Sequence, residues 1–209
     1  MPSDTFPLQQ PPLPMGSIGR HASGTWGVVF LLISESTIFA YLFFAYFYFS
    51  TQPHYGPWPP DGPPHWFYPG LETAVAIAGS LTMWWANRSV ARGQSAGLLS
   101  GLGASLVLGI AFVALQFLDW SHKSYGFATD PYSSFYFVIT GFHLAHVVIG
   151  VIIFAAVLAW SAFGYFGPVR HTPVTVAAIY WYFVTIVWLG VLFTLDITPY
   201  FGWQPDRVI

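Results

Sequence analysis

Apolar residues in this chain run in long unbroken blocks instead of alternating with polar ones, and the blocks are too long for strands. Five of them reach the length at which a helix crosses the hydrocarbon core of a bilayer, about 20 mostly apolar residues. They cover residues 26–49, 70–90, 97–118, 132–160 and 174–197. The pattern predicts an all-α polytopic membrane protein, with five transmembrane helices bundled into one unit over residues 20–209. Residues 1–19 are rich in Pro, Ser and Gln and have no apolar stretch, so they predict a flexible cytoplasmic arm and not a signal peptide. Among the eight acidic residues only Glu35 falls well inside a block. Glu72 is expected in the first turn of helix 2, where a carboxylate suits the helix dipole, and Asp119 and Asp196 fall at helix ends.

The segments between blocks set orientation and packing. One side carries Arg20, Arg88, Arg92 and Arg170, and the other Lys123 and Arg207. The excess predicts a cytoplasmic amino terminus and an external carboxyl terminus. The first outer loop, TQPHYGPWPPDGPPHWFYPG, is expected to be stiff because proline fixes φ and removes donors. Its Trp58, Trp66, Phe67 and Tyr68 suit the headgroup zone. Small residues recur every fourth position in helix 2 (Gly70, Ala74, Ala78, Thr82) and in helix 3 (Gly97, Gly101, Ser105, Gly109). Such stripes let helices approach closely in lipid.

Composition sharpens this picture. Hydrophobic residues make up 55% and charged residues 7%, against about 25% charged in soluble domains, and the mean hydropathy is +0.58. The formal net charge of −2 gives no basic field for nucleic acid. The chain has no cysteine, which excludes disulfides and zinc–thiolate or cysteine-held iron–sulfur sites. No cofactor box, nucleotide loop or nucleophile triad is visible.

The candidate chemistry rests on few residues. Glu35 lies roughly 13 Å along helix 1 from Trp26, near mid-membrane, where a bare charge costs about 2.5 kcal/mol or more. Its carboxyl is expected either to hold its proton or to be satisfied from inside the bundle; a structural hydrogen bond and a proton-handling or lipid-headgroup role weigh equally. His143 and His146 stand three apart in TGFHLAHVVIG, a spacing that suits two imidazoles on one metal and also suits hydrogen bonds to neighbouring helices, the better-supported of the two readings. Gln116 and Asp119 are expected at a solvated end of helix 3. Tyr180, Trp181, Tyr182, Thr185 and Trp188 give helix 5 hydrogen-bonding tips on an apolar body.

The motifs, in order, are ISE-x-x-x-F (Ile33, Ser34, Glu35), WPP (Trp58, Pro59, Pro60), LQ-x-x-D-W (Gln116, Asp119), GFH-x-x-HV (Gly141, Phe142, His143, His146) and YW-x-FV-x-x-VW (Tyr180, Trp181, Trp188). Together, over residues 20 to 198, they resemble subunit III of the haem–copper cytochrome c oxidases in a short five-helix form. The resemblance implies a non-catalytic subunit with no haem or copper of its own, those cofactors sitting in partner subunits. It implies direct contact with oxidase subunit I, a complex including subunit II and small subunits, bound phospholipids, no nucleic acid, and a bacterial inner membrane. The activity implied for the complex is proton-pumping reduction of O₂ to water in aerobic respiration. Glu35 then matches the family's carbodiimide-reactive carboxylate, and the chain would stabilise subunit I and support proton uptake. The family's long form has two further amino-terminal helices, expected to be missing here or fused to another subunit. Family members commonly read YWHFVD in the last helix; here Tyr182 and Thr185 replace the His and Asp. Glu35 is therefore expected to share its proton with His143, His146 or Tyr182. The rival readings are a quinol oxidase subunit or an accessory protein of nitric oxide reductase, a proton-coupled transporter, and a metal enzyme built on His143 and His146.

Overall fold

The computed structural model describes residues 23–52, 58–60, 62 and 64–202, so the amino-terminal arm, Arg20 and Arg207 lie outside the described residues. Five long helices follow one another: α1 Ser23–Ser50, α2 Phe67–Ala91, α3 Ser95–Ser121, α4 Pro131–Ala162 and α5 Thr172–Leu192. A π-helical turn, Phe193–Ile197, and the short α6, Thr198–Gly202, complete the described chain. The expected all-α bundle is present; α1 to α4 extend a few residues beyond their apolar blocks, whereas α5 stops at Leu192 and the π-helical turn completes the fifth block. Local chemistry explains some of the ends. Asp130 caps α4 by accepting from the Ser133 amide at 2.8 Å while Ser133 Oγ accepts from the Asp130 amide, and Pro131 occupies the first helical position. Pro69 is tolerated because it stands in the first turn of α2, where its missing N–H has no helical partner to lose.

Four segments are long and apolar enough to span a bilayer: Gly24–Ser50, Ser95–Ser121, Pro131–Ala162 and Thr172–Phe201. The fifth helix, α2, is of similar length but carries Glu72, Asn87 and Arg88. Of its polar positions, Glu72 and Ser89 are buried, Arg88 is exposed, and Asn87 Oδ1 accepts from Thr175 Oγ1 at 3.0 Å. The bundle's two ends are distinct. Trp58, Tyr68, His122, Tyr132 and Tyr200 meet at one, and the α2–α3 turn at Gly93 approaches Pro168 at the other.

Close approach of α2 and α3 is the tightest packing in the molecule. A Cβ added at Gly97 would fall 2.5 Å from Ser89 Oγ, and one at Gly101 2.8 Å from Ala86 Cβ. Ser105 Oγ lies 2.8 Å from Thr82 Oγ1. The helix 3 stripe therefore does what small residues do in lipid, where dispersion and interhelical hydrogen bonds replace the hydrophobic driving force. The helix 2 stripe needs correction. Gly70 has open space at its Cβ and Ala74 is exposed; the face α2 actually buries runs through Glu72, Ala76, Gly79, Met83, Ala86 and Val90. A stripe read at strict intervals of four drifts round the helix, whereas the buried set alternates steps of three and four.

Trp181 of α5 is the centre of the core, 1% exposed. Three glycines from three helices make room for it. Cβ atoms at Gly79, Gly109 and Gly150 would lie 3.0, 3.3 and 3.1 Å from its indole. Phe154 packs on the same ring at 4.9 Å between centroids. By contrast α1 buries only Leu32, Phe39 and Tyr46, a single seam seven residues apart.

Candidate functional site: a mid-bundle carboxyl–imidazole pair and a loop-end carboxyl cluster

Glu35 sits in the body of α1, and no hydroxyl of its own helix reaches it. Ser34, Ser36 and Thr37 all donate to backbone carbonyls one turn back, those of Leu31, Leu32 and Ser34. Its partner comes from α4. His146 Nε2 lies 3.3 Å from Glu35 Oε2, with the side chains 12% and 28% exposed respectively. His146 Nδ1 is 2.7 Å from the Phe142 carbonyl, which can only accept, so Nδ1 carries a hydrogen. The contact to Glu35 then holds one proton, as a carboxyl donating to neutral Nε2 or as an imidazolium donating to carboxylate. Phe39 edges onto the imidazole at 5.1 Å, and Tyr180 Oη donates to the His146 carbonyl at 3.0 Å, tying α5 to the same turn.

Of the three candidates for sharing Glu35's proton, the geometry brings only His146 to it. His143 points elsewhere, fully buried between Phe112 and Trp188, with Nε2 3.1 Å from the Val184 carbonyl of α5. Two histidines three apart subtend about 60° around a helix axis, and here that divides them between α1 and α5. Among the described residues no group of three or more His, Cys, Asp or Glu side chains converges as a metal site. Tyr182 is half-buried against the core. Thr185 is buried and lies 2.9 Å from Ser80 Oγ, joining α5 to α2. Trp188 Nε1 donates to Thr73 Oγ1 at 2.9 Å, a second α5–α2 link.

The loop end departs furthest from expectation. Gln116 and Asp119 are not on a solvated helix end: they are 1% and 3% exposed. Asp119 Oδ1 lies 3.0 Å from Lys123 Nζ, and Tyr136 Oη donates to its Oδ2. Lys123 also rests over the Tyr136 ring, 4.8 Å from its centroid. Glu72 is not in the first turn of α2 either, because the helix starts at Phe67; it is 1% exposed, more deeply buried than Glu35. Asp196 is drawn inward by the π-helical turn, which buries Thr194, Leu195 and Asp196 together. Glu72 and Asp196 each feel the charges of Asp119 and Lys123. Asp119 and Lys123 line a cavity of about 470 Å³ together with Tyr68, His122, Tyr125 and Tyr132. In the α3–α4 loop, burial pushes the Tyr125 phenol above its ordinary value, so it remains neutral.

The outer-loop motif is also a packing device. Trp58 contacts Tyr46 and Tyr132 at 5.5 Å each, and Pro59 is buried, while Pro60 is exposed. Trp58 is therefore half-buried against α1 and α4, whereas Trp66 and Phe67 are exposed.

Residues 20–201 match the family model of cytochrome c oxidase subunit III. This chain belongs to that family. It is 36% identical over 175 residues to cytochrome c oxidase subunit 3 of Synechocystis sp., covering 81% of this chain and 73% of the relative. It is 35% identical to the subunits of the same name from Gallus gallus and Cyprinus carpio, covering 78% of this chain and 65% of each. The chain thus spans about two thirds to three quarters of the length of these relatives. Membership of the subunit III family makes this a multi-pass membrane protein and sets aside the independent transporter and the histidine metal enzyme. Of the family motifs, four reach into the described sites: ISE supplies Glu35, GFH-x-x-HV supplies His146, LQ-x-x-D-W supplies Asp119, and YW-x-FV-x-x-VW supplies the central Trp181. Gly141 has open space at its Cβ and Phe142 is exposed; Phe142 matters to the site through its carbonyl alone.

Proposed function

We propose that this chain is the non-catalytic subunit III of a proton-pumping haem–copper oxidase that reduces O₂ to water in a bacterial plasma membrane. It binds subunit I directly, in a complex with subunit II, and holds no haem or copper itself. Its amino terminus faces the cytoplasm, in keeping with Arg88, Arg92 and Arg170 at that end and Lys123 at the other. The electron donor, cytochrome c or a quinol, is selected by other subunits.

The observation that carries this reading is the Glu35–His146 contact at 3.3 Å. A carboxyl and an imidazole in contact can pass one proton between them without changing the net charge of the pair, a step suited to handling protons inside a membrane bundle. Its role is to support proton uptake by the complex, while the α2–α5 bundle stabilises subunit I. Purification in mild detergent tests the assembly: subunits I and II are expected to copurify. In that complex Glu35→Gln is expected to lose carbodiimide labelling of this chain and to slow steady-state turnover, or shorten its duration, without altering the haem spectrum. Copurification of a solute carrier system instead, or full labelling in the Gln variant, would count against it.

A further inference from the structure

The carboxyls at the loop end are not used by the mechanism above, yet they are the most deeply buried among the described residues. We propose that Glu72, Asp119 and Asp196, grouped around Lys123, form a second proton-binding site that exchanges with bulk water through the loop-end cavity. The inference does not depend on the oxidase reading.

Charge counting carries the first step. Asp119 is neutralised locally, with Lys123 on one oxygen and the Tyr136 hydroxyl on the other. Glu72 and Asp196 remain, 1% and 5% exposed, coupled electrically to the same ion pair. Two further bare carboxylates in one buried layer would combine desolvation with mutual repulsion, so they hold at least one proton between them. The other facing groups among the described residues are phenols, the lysine and two rim histidines, His65 and His122. Tyr46 from α1, Tyr132 and Tyr136 from α4 and Tyr125 from the loop are phenols, neutral near pH 7. Lys123 is the cation already counted, and His122 is bonded to the Leu118 carbonyl at 2.7 Å and to Tyr68 at 3.3 Å.

Two independent observations turn a buried cluster into a site. Glu72 Oε1 has no hydrogen-bond partner among the described residues, although the side chain is almost wholly buried. An atom left so is a place for a proton to bind. The cavity of about 470 Å³ is lined by Asp119 and Lys123 at its floor and by the exposed His65, His122 and Ser124 at its rim. It is roomy and polar enough to hold several waters and brings the loop-side aqueous phase to Asp119 and Lys123, the ion pair whose charges act on Glu72 and Asp196. The Glu35–His146 pair, half a helix away, does not line it.

Infrared titration of the full chain, purified with its copurifying partners, tests the site. A protonated-carboxyl band is expected that appears and disappears reversibly with pH and shifts promptly on transfer to heavy water. Glu72→Gln should remove or displace the band, and Glu35→Gln should leave it. Lys123→Met, at a partly exposed position, should move the midpoint up by about one pH unit or more, because losing the cation favours the neutral acids. A band that ignores both Glu72→Gln and Asp196→Asn, a midpoint unmoved in Lys123→Met, or heavy-water exchange as slow as global unfolding would overturn the proposal.

Discussion

Two ionisable regions of this bundle solve the same problem in opposite ways. At mid-membrane, Glu35 meets one histidine across a helix contact and stays partly exposed on the surface of α1. At the loop end, Glu72, Asp119 and Asp196 are buried behind a lysine, a tyrosine and a cavity wall. The pair sets one carboxyl against one imidazole; the cluster sets one lysine among three carboxyls. The difference teaches that membrane depth and burial are separate variables. The carboxylate deepest in the apolar sequence is not the one most enclosed by protein.

Substitutions at the two regions should separate accordingly. The largest effect is expected for Asp119→Ala, which leaves the half-buried Lys123 without its partner and the buried Tyr136 hydroxyl without an acceptor: a loss of about 3 kcal/mol in unfolding from mixed micelles. Equal stability of that variant would show the ion pair to be ornamental. Lys123→Met should cost less, about 1–3 kcal/mol, because the carboxyls can bind a proton in place of the lost cation, and its cost should shrink as pH falls. A cost that grows on acidification would reverse the comparison. Next comes the mid-bundle pair. A double-mutant cycle of Glu35→Ala with His146→Ala is expected to give a coupling of about 0.6–1.7 kcal/mol, the range for polar contacts between membrane helices. A coupling above the Asp119–Lys123 value would make the mid-bundle pair the main structural tie. The smallest change is expected for Glu35→Gln, within about 0.5 kcal/mol, since the amide still donates to His146.

The family motifs guided the reading to the right turns of helix but not to what each residue does there. Continuous apolar blocks marked five helices because lipid leaves every backbone group to be satisfied within its own helix. Glu35 stood out for the same reason, as a lone carboxylate among apolar neighbours. Glu72, Asp119 and Asp196 did not, because position near a helix end looks like solvation in one dimension. Their burial arises from the α3–α4 loop and the outer-loop Pro59 folding over that end, and from a π-helical turn with no local signal of its own. The i, i+3 spacing of His143 and His146 was legible as two neighbouring directions on α4. Which neighbour each direction meets was decided by where α1 and α5 dock.

What the chain determined by itself, then, is the number and order of its five long helices, together with the small residues of α3, because those follow from transfer energies and backbone geometry acting within a segment. What only the tertiary structure decided is partnership: Glu35 with His146, Trp181 with three glycines from three helices, and three distant carboxyls with one lysine. The physical reason is that hydrogen bonding and charge pairing in a low-dielectric bundle act over a few ångströms between helices, and sequence separation carries no information about that distance.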